Sequence, residues 1–187
     1  MSPTQLLVPT FTHLLKALSG WLTKAREQLP PAEAEALLSA SLAPDMFPLS
    51  TQIRFACVQV LEAHSRLTES PFPDTVRALL DEGRNARERP GSLADCHNRI
   101  EETVALLAGL APDALDADPA TLIAHELPNG MIFDLTPDQY ARDWALSQFY
   151  FHVMTAYAIL RSGKVALGKA DYVPHMLPYV RPGVLPT

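Results

Sequence analysis

The sequence predicts a mainly α-helical protein, a four-helix bundle with a small β-hairpin before its last long helix. Three observations predict it. Four stretches repeat apolar residues at helical spacing, the 17 prolines fall almost entirely between those stretches, and one Asn-Gly pair separates the only two strand-like runs. A length of 187 residues suffices for one domain with a real core, so residues 1–187 are read as a single unit with a tail after about residue 172.

The first long helix spans Thr10 to Gln28, where Phe11, Leu14, Leu15, Leu18, Trp21, Leu22 and Ala25 form one stripe and Pro30-Pro31 ends the run. Pro31 to Ser39 holds good helix formers behind a proline but is too short for more than a turn or two. Pro44 and Pro48 bracket a turn that aims the second long helix, about Leu49 to Arg66. Ile53, Cys57, Val60, His64 and Leu67 share one side of it, and Gln52, Ala56, Gln59 and Ala63 share the adjacent strip. Residues 71–91 carry only a short amphipathic patch at Val76, Leu79 and Leu80, which reads as a short helix and a solvated loop. Ser92 and Asp95 have the spacing of a capping box, and the third long helix follows through Ile100, Val104, Leu107 and Leu110. Thr121–Leu127 and Met131–Leu135 flank Pro128-Asn129-Gly130 and form the expected hairpin, because Asn-Gly tolerates the positive φ of a tight turn. Thr136 as N-cap and Pro137 in the first turn open the fourth long helix, unbroken to Ser162, roughly 39 Å in length. Gly163 stops it, and Lys164–Thr187 is Pro-rich and aperiodic.

Charge and composition exclude several function classes. With 15 Lys+Arg against 21 Asp+Glu the net charge is −6, and no basic run offers a footing for phosphate backbones or anionic lipid. Neither nucleic acid nor membrane is expected as a partner. The most apolar stretch, Ala145–Leu160, is interrupted by Ser147, Gln148, His152 and Thr155, and the N-terminus lacks the charged and apolar regions of an export signal. Cys57 and Cys96 form neither a disulfide framework nor a thiolate zinc site, so a cytoplasmic setting is the expectation.

Chemistry is expected on the fourth helix. Ala141, Trp144, Ala145, Gln148, His152, Thr155 and Ile159 fall in one stripe, which sets a Gln, a His and a Thr among apolar neighbours. Buried polar groups need partners, and Gln52 and Gln59 on the second helix supply them. His152 is the one group of this set able to move protons near neutral pH, and Gln52, Gln59, Gln148 and Thr155 are the expected ligand-binding residues. No metal and no cofactor is expected. His13, His64, His97, His125 and His175 read as surface or packing residues, and no nucleophile elbow or glycine-rich phosphate loop is present. Asp45 is expected to cap the second helix, with Arg161 or Lys169 paired to it or to helix carbonyls. The opposite side of the fourth helix, with Tyr150, Met154, Tyr157 and Arg161, must be covered by the first helix and tail or by a second copy, which points to a homodimer.

Two blocks carry a family resemblance: Leu42-Ala43-Pro44-Asp45-Met46-Phe47-Pro48-Leu49, and Gln148-Phe149-Tyr150-Phe151-His152 with Thr155–Arg161, followed by Leu167-Gly168-Lys169 and Asp171-Tyr172. The chain resembles a domain-of-unknown-function family of the DinB/YfiT-like superfamily from Val8-Pro9 to about Tyr172. The resemblance implies a DinB-like four-helix bundle, commonly dimeric, whose related branches hold a divalent metal with three histidines and include thiol-dependent transferases. At the matching positions this sequence reads Gln59, Gln148 and His152. The expected function is therefore binding of an unknown small molecule in a polar cavity between the second and fourth helices, without an intact three-histidine metal site. Two alternatives stand beside it, a divalent-metal-dependent transferase or hydrolase and a non-enzymatic dimeric interaction protein.

Overall fold

Ser2 opens the first helix. Its hydroxyl accepts from the Gln5 N–H at 3.4 Å while the Gln5 carboxamide accepts from the Ser2 N–H at 3.3 Å, and Pro3 supplies a preset φ. In the computed structural model, which describes residues 1–127 and 129–184, helix α1 therefore runs Pro3–Gln28, starting about two turns before Thr10. Pro9 lies inside it, and because both Pro9 and Gln5 are on the exposed side, the carbonyl that loses its N–H partner faces water.

The remaining elements follow the expected order. A short α2 (Pro31–Ala36) and a 3-10 turn lead to α3 (Leu49–Leu67), then α4 (Asp74–Arg84) and α5 (Leu93–Ala108). Ser92 and Asp95 do form a reciprocal capping box on α5. Strands β1 (Ile123–Glu126) and β2 (Ile132–Leu135) pair antiparallel with Ile123 opposite Leu135 and His125 opposite Phe133. Gly130 takes φ +84 in the turn, as the hairpin requires; Pro128, the first residue of the expected turn, lies outside the described residues. Leu185, Pro186 and Thr187 of the tail do so as well.

The fourth long helix is not uniform. Thr136 caps α6 (Pro137–Gln139), a π-helical segment covers Tyr140–Ala145, and α7 (Leu146–Ser162) continues the axis. The Leu146 N–H reaches back five residues to the Ala141 carbonyl, so one extra residue is fitted into the helix. That residue turns Tyr140 to the core. After α7 come α8 (Lys169–Tyr172) and a 3-10 turn at Pro174–Tyr179.

Helices α1, α5, α3 and α7 form a ring in which each packs on the next, with α4 laid against the outside of α3. The bundle centre is filled by Phe11, Trp21, Tyr140 and Phe149 among leucines from α1 and α3; Phe11 meets Phe149 edge to face at 4.7 Å. Each such side chain contributes about 1.5–3 kcal/mol by leaving water. No helix among the described residues is long and apolar enough to cross a membrane.

Candidate functional site

The Phe47 carbonyl starts the site. Phe47 precedes Pro48, which holds the chain extended at the entry to α3, and its carbonyl accepts from Gln52 Nε2 at 3.1 Å. With its amide nitrogen so engaged, Gln52 turns Oε1 toward His152 Nδ1, 2.9 Å away across the α3–α7 contact. A carboxamide oxygen only accepts, so Nδ1 carries the ring proton and Nε2 keeps its lone pair. Burial pushes the His152 pKa down to about 4, and the ring is neutral at pH 7. Phe55 and Phe151 stand edge-on to it at 5.5 and 5.4 Å, and Phe47 meets Phe55 at 5.7 Å.

Of the other expected site residues, Gln59 is half-buried with an unpartnered Oε1, and Gln148 is half-buried with no side-chain hydrogen bond among the described residues. Thr155 is buried, but its hydroxyl donates to the Phe151 carbonyl of its own helix at 2.6 Å. The cavities at the end of α3, along α1 and beside Met1 are lined by other residues. Asp45 does not cap α3, whose N-cap is Pro48 without a side-chain bond; Arg161 instead donates to the Leu167 carbonyl.

Toward its other end the same seam joins Gln59 and Trp144, which helical periodicity placed on inward strips, to groups that it did not single out. Gln59, Glu62 and Arg66 repeat at i, i+3 and i+7 on α3, antiparallel to Trp144 and Tyr140 on the π segment, and β1 lowers His125 onto them. The His125 ring lies 4.1 Å from Trp144 and 5.9 Å from Tyr140. Gln59 Oε1, Arg66 Nε, His125 Nδ1, the Tyr140 hydroxyl and Trp144 Nε1 are all buried without a partner among the described residues. Burial, and then Arg66, pushes His125 down to about 4; burial, and then Glu62, raises the Tyr140 phenol. Burial raises the Glu62 carboxyl against the pull of Arg66. Arg66 also donates to the Ala124 carbonyl at 3.2 Å and lies over the Phe72 ring at 5.1 Å.

Of the two readings expected for His125, surface or packing, the structure has it packed: it is 4% exposed against Trp144, and it joins a polar cluster as well. The sequence did hold a signal, since period-two alternation in Ile123-Ala124-His125-Glu126 puts His125 on the face of Ile123. Cys57 behaves as expected of packing, its thiol pushed up to about 12 by burial.

The three-histidine metal centre implied by the fold can be tested on these donors. The matching positions hold Gln59, Gln148 and His152, His152 Nδ1 is engaged by Gln52, and no three His, Cys, Asp or Glu side chains among the described residues are grouped to hold an ion. Carboxamides are weak donors to zinc. The residues present do not fit that centre.

Comparison with known proteins agrees with the fold. The chain is similar to a DinB family member protein from Shewanella denitrificans, whose crystal structure superposes with a TM-score of 0.72 at 28% identity, covering 98% of this chain and 95% of that one. No curated protein matches it. Residues 4–173 match the family described as Domain of unknown function (DUF1993), and the chain belongs to that family.

Proposed function

We propose that the α3–α7 seam binds an elongated organic molecule with hydrogen-bonding groups roughly 18 Å apart, which meets His152 Nε2 at one end and the Tyr140 cluster at the other. The observation that carries the reading is a cluster of buried polar atoms without a protein partner among the described residues, from Arg66, His125, Tyr140 and Trp144, with that of Gln59 three residues before Glu62 on α3. Buried donors and acceptors are almost always satisfied, and leaving each one unmade costs about 1–3 kcal/mol. Arg66 and Trp144 can only donate and Gln59 Oε1 can only accept, so a matching ligand carries both an acceptor oxygen and an O–H or N–H. A pKa near 4 makes His152 an acceptor toward that ligand more than an efficient base at pH 7. Binding is favoured over turnover on that ground.

Native mass spectrometry of the purified protein, followed by extraction of its low-mass content, tests the reading. The wild type retains an organic molecule that His152→Ala and Tyr140→Phe lose while keeping their helical circular dichroism. Equal retention by all three, or none by any, overturns the proposal.

The dimeric reading has its own support in the exposed apolar side chains of α7, Tyr150, Phe151 and Met154 at 37%, 57% and 38%, and in Phe47 at 48%. Tyr157, by contrast, is half-buried against Trp21 at 5.2 Å. Sizing in solution with Phe151→Glu tests it, because a dimeric wild type and a monomeric variant are expected; a monomer in both removes it.

A further inference from the structure

We infer that the groove between α1 and the C-terminal segment binds a small organic carboxylate with an apolar body. The groove is a cavity of about 430 Å³, at the small end of the range for small-molecule sites. Its floor is apolar, from Ala17, Gly20, Trp21, Ala170 and Pro174, and its rim carries Lys16, Lys24, His13 and His175 with a single carboxylate, Asp171. That carboxylate is taken: Lys24 Nζ donates to it at 2.5 Å. Lys16 makes no ion pair among the described residues, and His175 Nδ1 is buried without a partner. A local excess of cationic and N–H groups in a chain of net charge −6 is the complement of an anion.

Gly20 is the second line of argument. It lies in the middle of α1, where glycine costs about 1 kcal/mol relative to alanine. The fold gives no reason for it, since a Cβ there would meet nothing within 4 Å and its φ is ordinary. What the missing side chain does is leave the cavity floor open beside Trp21. The opposite wall is held in place without a ligand, because Trp21 Nε1 donates to the Asp171 carbonyl at 2.9 Å. His13 and His175, stacked at 5.2 Å, also line an adjoining cavity of about 360 Å³ with Tyr150, so a longer apolar body has room past the pair. None of this depends on the α3–α7 seam.

Calorimetric titration at pH 7 with octanoate and its neutral counterpart octanamide tests the inference on the wild type and on Lys16→Glu, Gly20→Leu and His152→Ala. Octanoate is expected to bind roughly fivefold or more tighter than octanamide, and Lys16→Glu to remove that preference. Gly20→Leu fills the floor with a better helix former and abolishes binding of both. His152→Ala binds octanoate like the wild type, which separates this site from the seam. No saturable octanoate binding at millimolar concentration, equal affinity for the two probes, or undiminished binding by Gly20→Leu overturns the inference.

Discussion

Tyr140 is fully buried and its hydroxyl has no partner among the described residues, an arrangement that has a measurable cost. Tyr140→Phe is therefore expected to raise the stability of ligand-free protein by about 1–2 kcal/mol in urea unfolding while abolishing ligand retention. A comparable loss of stability would mean that the phenol is already satisfied within the chain. His152 gives a pH signature. Its folded pKa of about 4 lies below the ordinary value near 6.5, so between those pH values the unfolded chain binds a proton that the folded one refuses. Stability then falls as pH drops through that window and levels off below it, and His125, also near 4, adds to the slope. A nitrogen-detected histidine titration checks both the Nδ1–H tautomer and the low midpoint; a His152 midpoint above 6 contradicts the burial argument. The Gln52–His152 pair was legible in the sequence because both residues keep α periodicity. Tyr140 was not, because an inserted π residue breaks that periodicity just where it matters.

Helix boundaries show what sequence signals do and do not decide at the scale of elements. The cap of Ser92 with Asp95 formed where its spacing placed it, and Thr136, expected as an N-cap, caps α6 with Gln139 as a reciprocal partner that the sequence reading did not name. The end of α7 is different. Gly163 is its C-cap with φ −76, and the left-handed residue is Lys164 at φ 66, whose N–H bonds to Arg161 while the Val165 N–H bonds to Leu160, a complete Schellman pair. Gly163 is needed for space instead, because a Cβ there would run into the Leu37 side chain. The two glycine roles that the sequence merges into one position are thus split between neighbours. Lys164→Gly is expected to stabilise the protein by about 0.5–1 kcal/mol, and Gly163→Ala to destabilise it through the Leu37 clash. Thermal unfolding of the two variants orders them on opposite sides of the wild type; the same sign for both would mean that the cap, not the contact, sets the cost at both positions.

The bundle ring was legible in the four apolar stripes, but what fastens its outer layer was not, since it depends on charges brought together from three elements. Arg54, 3% exposed on α3, donates to Glu82 of α4 at 2.8 Å and to the Ser50 hydroxyl at 2.5 Å, and Arg99 of α5 donates to the other Glu82 oxygen at 2.5 Å. One carboxylate therefore joins α3, α4 and α5. Burial alone would raise its pKa, but the hydrogen bonds from Arg99 and Arg54 outweigh that and hold it below the usual carboxylate range. The sign follows from linkage: the stabilisation is full above the unfolded carboxylate pKa and is lost as pH falls through the lower folded value. Glu82→Gln keeps the shape and removes the charge, leaving Arg54 buried and half-paired, at a cost of about 2–4 kcal/mol at pH 7. Below the folded pKa the wild-type carboxyl is itself neutral, so variant and wild type should converge in stability as acid is added. Urea unfolding of both from pH 7 down to pH 3 reads that convergence directly. A gap that stays constant with pH would place the loss in packing, and the node would then be a steric joint between the helices instead of an electrostatic one.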